Sequence, residues 1–239
     1  GQAPLHIILT VNAAWNILNF RRPVVGALLA DGHRVTVLAP HDDAVPALES
    51  IGCRHVPLVM DSKGLNPLRD IALSHNFMQH FRREKPDVIL SYTIKNNIFG
   101  SLAAKRIGIP FIPNVTGLGT AFLSGGLLQS IAEILYRGAF LNLDTVFFQN
   151  DDDRDLFIAR RLVTLRQASL LPGSGIDLAH FTPVTLPGRA VFLMVARILR
   201  DKGVMEFVEA ARLLRATHPQ ARFQLLGALG SANRTAIDA

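Results

Sequence analysis

Two cations offer the first chemistry in this sequence: Arg197 and Lys202, in "VARILRDKG" at residues 195–203. A guanidinium binds phosphate oxygens as a fork and an ammonium adds a mobile point charge. A pair flanking a short loop can therefore hold a diphosphate from two sides. Charge builds on a diphosphate as it departs, and fixed cations stabilise that change more than they stabilise the ground state. This is catalysis without a protein nucleophile. The same segment also reads as an ordinary solvated loop, so its surroundings must decide. Upstream, "PGSGID" at 172–177 puts Gly173, Ser174 and Gly175 where backbone N–H groups can approach an anion, although such a loop serves equally well as a hinge.

The elements that must position these residues follow from the hydrophobic pattern. "LHIILTV", "RVTVLAP", "CRHVPLV", "DVILSY", "PFIPNV" and "TVFFQN" are short, apolar and rich in β-branched residues. They predict strands buried on both faces. Helical patterns lie between most of them. In 67–85, Leu68, Ile71, Met78 and Phe81 recur at helical spacing, and in 203–218 Val204, Phe207, Val208, Ala211 and Leu214 do the same. Alternating strand and helix predicts an α/β fold with a doubly wound parallel sheet. The Gly- and Pro-rich stretch 170–190 then breaks the pattern. A second alternation follows: a buried strand at 190–196, a helix at 203–217 and a strand at 221–227. The expected domains are 1–172, Rossmann-like, and 173–239, an incomplete second Rossmann-like layer.

Ligands of such sheets bind beyond the carboxyl ends of the strands. The loops expected there are polar: "NAAWNILNFRR", "TIKNNIFG" and "TGLGT". They bring Asn12, Asn16, Asn19, Lys95, Asn96, Asn97, Thr116, Gly117 and Gly119 toward one rim. Any single Asn among them is as readily a helix cap. Other signals carry less. "DDDRDLF", from residue 151, resembles an acidic metal motif but sits where a strand gives way to a helix, and acids there suit the helix dipole. The eight histidines show no metal-ligand spacing, so no metal site is expected. G-x-S-x-G and G-x-G-x-x-G are both absent, which argues against a serine hydrolase elbow and a dinucleotide oxidoreductase.

Composition sets wider bounds. The net charge of +6 favours phosphate-bearing partners, but pairs such as Arg82-Arg83 and Lys105-Arg106 close helices and are explained by the dipole alone. Nucleic acid is the weakest candidate partner, because two tyrosines and one tryptophan give no stacking platform among dispersed cations. Cys53 is the single cysteine, which excludes an intrachain disulfide. Residues 117–141 are apolar but broken by Gly125-Gly126 and charged at Glu133 and Arg137. That segment suits a bilayer surface or a buried helix rather than a span.

On "VARILRDKGVMEFVEAARLL", "LLPGSGIDLAHFTP", "NAAWNILNFRRPVVGALLADGHRVTVLAP" and "YTIKNNIFGSLAAKRIGIPFIPNVTGLGT", the chain resembles the retaining glycosyltransferases of family 4, which have the two-domain GT-B architecture. It most resembles the bacterial branch that extends lipid-diphosphate-linked sugars. The resemblance implies transfer of a hexose, often N-acetylated, from a UDP-sugar to a polyprenyl-diphosphate-linked saccharide with retention. No cofactor or metal would be needed, and the enzyme would work at the cytoplasmic face of the membrane. It implies Arg197 and Lys202 as the catalytic donor-diphosphate cations, with Gly173, Ser174 and Gly175 beside them on the donor side. Asn16, Asn19, Lys95, Asn97, Thr116, Gly117 and Gly119 would face the acceptor. Two departures stand out. Asn-Ala-Ala-Trp-Asn replaces the family's usual glycine pair in the first turn, and the family's paired glutamates are absent from 173–239. The expectation is a C-terminally truncated chain with little transferase activity of its own. The alternatives from the residues are a non-catalytic nucleotide-sugar or lipid-phosphate binding module and a related sugar-nucleotide epimerase.

Overall fold

The computed structural model describes residues 3–61, 64, 66–119 and 125–228. It divides into two compact units, Gly1–Leu178 and Ala179–Ala239. In the first unit the described elements run β1 (His6–Thr10), α1 (Ala14–Phe20), α2 (Arg22–Ala30), β2 (Arg34–Ala39), α3 (Val45–Ser50), β3 (Arg54–Pro57), α4 (Pro67–Glu84) and β4 (Val88–Tyr92). A π-helical turn, Asn96–Gly100, leads into α5 (Ser101–Ile107), followed by β5 (Phe111–Val115), α6 (Gly126–Phe140), β6 (Val146–Phe148), α7 (Asp151–Ala159) and β7 (Ala168–Leu170). The seven strands form one sheet in the order β3-β2-β1-β4-β5-β6-β7, every neighbouring pair parallel. This is the doubly wound layer expected from the alternation.

Alternate side chains of the central strands feed two cores. Ile8, Leu38, Ile89 and Phe111 pack with Phe77, Phe81, Phe140 and Phe157 on one face. Ile7, Leu9, Val35 and Val37 pack with Ile17, Val25 and Leu48 on the other. Helix ends obey local chemistry. Asn66 caps α4, accepting from Arg69 N at 3.3 Å, and Asn150 caps α7, accepting from Asp153 N at 2.8 Å. The acids of "DDDRDLF" accordingly fill the first turn of α7, as the dipole reading required.

Three expectations about elements need correction. The buried stripe of α4 is Asp70, Leu73, Phe77 and Phe81, while Leu68 and Ile71 are 81% and 69% exposed. The helix is rotated so that its aromatic rings enter the core, and Asp70 is carried inward with them. β7 was not expected. Its "ASL" has no β-branched residue, and it forms only because β6 offers a pairing edge. Residues 190–196 do form a strand, β8 (Val191–Val195), but it is not buried: Phe192, Leu193 and Val195 are 46%, 55% and 67% exposed. Among the described residues of the second unit, β8 pairs only with β9 (Arg222–Leu226), in parallel. One described helix, α8 (Val204–Arg215), accompanies them. Phe192 and Phe223 stack at 4.9 Å and Phe207 meets Phe223 edge-on, so α8 covers one face with the side chains its period predicted.

Candidate functional site

The order of the sheet reverses between β1 and β4, since the chain runs outward to β3 on one side and to β7 on the other. A crevice is expected at the carboxyl ends of those two strands. A cavity of about 230 Å³ lies there, lined by Asn12, Met60, Thr93, Ile94, Lys95, Thr116, Gly117 and Gly119. Four of the predicted acceptor-side residues, Lys95, Thr116, Gly117 and Gly119, are thus brought together. Gly119 has φ +71°, and a Cβ on it would lie 2.3 Å from Ile94 Cδ1, so backbone conformation and space both favour glycine at this wall.

Asn16, Asn19 and Asn97 are not in the lining. Asn19 donates to Trp15 O at 2.8 Å, back onto its own helix, and Asn16 is half-buried within α1. Asn97 is 1% exposed and donates to Asn114 O at 2.9 Å, which ties the π-helical turn to β5. The expectation that Asn97 faces an acceptor is corrected: the π-helical turn directs it into the protein.

A relay of hydrogen bonds runs inward from the cavity wall. Asn12 N donates to Thr93 Oγ1 at 3.2 Å, and Thr93 Oγ1 donates to Asn96 Oδ1 at 2.9 Å. Asn96 Nδ2 donates to Thr10 Oγ1 at 2.9 Å, which donates to Leu38 O at 2.9 Å. The ends of β4, β1 and β2 are therefore stitched by side chains where their ladders stop. Thr93 has φ +70°, a costly conformation for a β-branched residue, held by these bonds at the edge of the cavity. Nothing in "SYTIK" marks it in advance.

Lys95 is not a free cation. Its Nζ meets Asp70 Oδ1 at 2.9 Å, with the two side chains 10% and 8% exposed, and Asp70 Oδ2 also accepts from Asn66 N at 3.2 Å. The pair brings no net charge to the cavity. Asp70 went unnoticed in the sequence because an acid in a first helical turn has an adequate local explanation.

In the second unit, Arg197 follows β8 and Lys202 ends a 3₁₀ turn, Arg200–Lys202. Leu199 N donates to Arg197 O at 2.8 Å, Lys202 N to Leu199 O at 3.1 Å and Gly203 N to Arg200 O at 3.0 Å. Ile198 and Leu199 are buried and anchor the turn, while Arg197 and Lys202 on either side of them are exposed. Neither has a carboxylate partner among the described residues. At the end of β9, a Cβ on Gly227 would fall 1.8 Å from Ala196 O, so only glycine lets the strand end lie against the start of this turn. Gly173 and Gly175 have φ +68° and +69°, and with Ser174 they form part of the exposed stretch that closes the first unit. No cluster of three or more His, Cys, Asp or Glu suited to a metal ion occurs among the described residues. No described helix is long and apolar enough to cross a membrane.

Comparison with known proteins agrees with this geometry. The chain is 27% identical over 235 residues to the N,N'-diacetylbacillosaminyl-diphospho-undecaprenol alpha-1,3-N-acetylgalactosaminyltransferase of Campylobacter jejuni, covering 90% of this chain and 61% of that protein. It is 25% identical over 178 residues to the UDP-Gal:alpha-D-GlcNAc-diphosphoundecaprenol alpha-1,3-galactosyltransferase of Escherichia coli, covering 68% of this chain and 43% of that one. The chain therefore spans about three fifths or less of the curated relatives it matches. Similar solved structures include Anabaena HepE in complex with UDP and glucose, at TM-score 0.68 and 15% identity, covering 92% of this chain and 60% of that one. Sucrose-phosphate synthase of Thermosynechococcus elongatus matches at TM-score 0.65 and 18% identity, covering 97% and 64%. These two share the fold. The model of the glycosyl transferase 4-like domain matches residues 20–173, more than half of the chain, and the chain belongs to that family.

Proposed function

We propose that this chain carries the acceptor-side layer and the diphosphate-gripping turn of a retaining glycosyltransferase. The reaction is transfer of a hexose, N-acetylated in our reading, from a UDP-sugar to a polyprenyl-diphosphate-linked saccharide in surface glycan assembly. One observation carries this: two exposed cations without a carboxylate partner among the described residues, Arg197 and Lys202, on a turn anchored at the carboxyl end of β8. A leaving diphosphate is the group that such a fork and point charge fit. The activities of the two undecaprenol-linked relatives support the acceptor class. The acceptor's polar part would enter the cavity of Lys95, Thr116, Gly117 and Gly119. Gly173, Ser174 and Gly175 would lie on the donor side. The two cations would take the place of a divalent metal, so a chelator should leave UDP affinity unchanged.

Titration of UDP against the chain and an Arg197→Ala, Lys202→Ala variant tests the reading. The variant is expected to bind about 10- to 100-fold more weakly, the loss of charge-assisted hydrogen bonds. Equal affinity refutes it. Docking on a membrane surface is part of the same reading. On α6, Leu127 and Ile134 are 78% and 64% exposed beside Leu141 at 59%, an apolar stripe that suits an anionic bilayer. Ile134→Ser should lower sedimentation with anionic vesicles, and unchanged sedimentation removes that element.

A further inference from the structure

The proposed acceptor carries a diphosphate, yet the cavity's own lysine is already neutralised by Asp70. A second cation, without a carboxylate partner among the described residues, is Arg21. It stands at the corner between α1 and α2, its backbone held by Arg21 N donating to Ile17 O at 2.9 Å and Val25 N donating to Arg21 O at 3.0 Å. The residue is 4% exposed, and its guanidinium carbon lies 4.4 Å from the centre of the Tyr92 ring. Nε is buried without a hydrogen-bond partner, and no carboxylate pairs with the group among the described residues. Burial accordingly lowers the Arg21 pKa, and the only charge acting to raise it is that of the Tyr92 phenol.

A buried charge without a counter-ion is costly, and structures normally pair it. The place of this one is informative. Tyr92 ends β4 at the reversal of the strand order, and the next residue, Thr93, lines the cavity and accepts from Asn12 N. Tyr92 lies opposite Asn114 in the β4–β5 register, and Asn114 Oδ1 is likewise buried without a partner. An unpaired buried donor thus lies against the ring of Tyr92, one residue from the Thr93 that lines the cavity, and the residue beside Tyr92 in the sheet carries an unpaired buried acceptor.

We infer that Arg21 is the cation that receives the diphosphate of the acceptor, with Tyr92 holding the guanidinium ready in the absence of ligand. The inference rests on the glycosyltransferase reading for the identity of the ligand. The phosphate oxygens replace the missing counter-charge, and the planar fork donates to two of them at once. Lys95, locked to Asp70, shapes the cavity and contributes little net charge.

The test is calorimetric titration of inorganic pyrophosphate, farnesyl diphosphate and UDP against the whole chain and its Arg21→Met, Arg21→Lys and Lys95→Met variants. Arg21→Met is expected to weaken pyrophosphate and farnesyl diphosphate about 10- to 100-fold and to leave UDP unchanged. Lys95→Met should weaken them far less. In thermal melts made with Arg197 and Lys202 both replaced by alanine, pyrophosphate should still raise the midpoint and should cease to do so once Arg21→Met is added, a difference that a purely structural arginine would not produce. If Arg21→Met does not fold, Arg21→Lys decides, since it keeps the charge but loses the fork and should bind both diphosphates more weakly. Pyrophosphate affinity that is absent in the wild type, or indifferent to Arg21, overturns the inference. So does a loss that falls equally on UDP, which would assign Arg21 to the donor. If UDP binds through Arg197 and Lys202 while Arg21 proves irrelevant, the transferase reading stands without it. If UDP does not bind the wild type, that reading falls whatever Arg21 does.

Discussion

Lys95 and Asp70 show how one buried pair changes the meaning of a residue. In the sequence Lys95 is a cation in a polar loop, whereas in the structure it is half of a neutral pair that fixes α4 against the π-helical turn. Removing one partner leaves a buried charge exposed to none of its former compensation. Asp70→Asn should therefore cost about 3–5 kcal/mol in urea unfolding. Replacing both, as Asp70→Leu with Lys95→Met, should recover most of that loss. A single variant as stable as wild type would show that the pair is solvated. Thr93 makes the complementary point: its strained backbone is tolerated because Asn12 and Asn96 both bond its hydroxyl.

At the scale of elements, the amino ends of the strands carry the acid sensitivity. His6 begins β1, is 4% exposed, and contacts Thr36 Oγ1 at 2.9 Å and Glu84 O at 3.1 Å. Burial, then the charge of Arg34, lower its pKa from 6.5. The unfolded chain thus takes up a proton before the folded one does, and stability falls as pH drops below about 6.5 toward the folded value. His80, lowered chiefly by burial, acts in the same direction. His6→Gln should flatten part of that slope in denaturant melts recorded from pH 7.5 down to 5, and an unaltered slope would exclude His6 as its source. At the other end of the chain, Gly227→Ala forces a methyl group into Ala196 O. Amide exchange across β8 and β9 should quicken in that variant while β1 to β7 keep their protection. Unchanged exchange in β8 and β9 would contradict the packing described.

For the whole molecule, the two units differ in how they are built. The first encloses two apolar cores, whereas the second leaves Leu193, Val195, Leu213 and Leu226 at 55% to 71% exposure. Between β7 and β8 nearly every residue is exposed, including Arg189. Exposed chain of this kind is where proteases cut first. Limited trypsin treatment should cleave after Arg189 and release a first unit that melts at an unchanged temperature. A fragment that unfolds on cleavage would show that its stability depends on the second unit.

The alternation of apolar runs, with periods near two and near 3.6, determined the parallel doubly wound layer, most strand positions and the helical stripe of α8, because these signals are local in the chain. The same local reading located Arg197 and Lys202 at a strand end before a helix. It brought the three polar loops to one rim but could not say which of their side chains line the cavity. The cavity keeps Lys95, Thr116, Gly117 and Gly119 and turns Asn97 inward, and that outcome depends on the π-helical turn and on Asn114 of a different strand. Nor could it show that Asp70 neutralises Lys95 or that Arg21 rests unpaired on Tyr92. Those are contacts between distant segments, and only the packed sheet, which removes water from some charges and supplies partners to others, decides which cation remains available to a ligand.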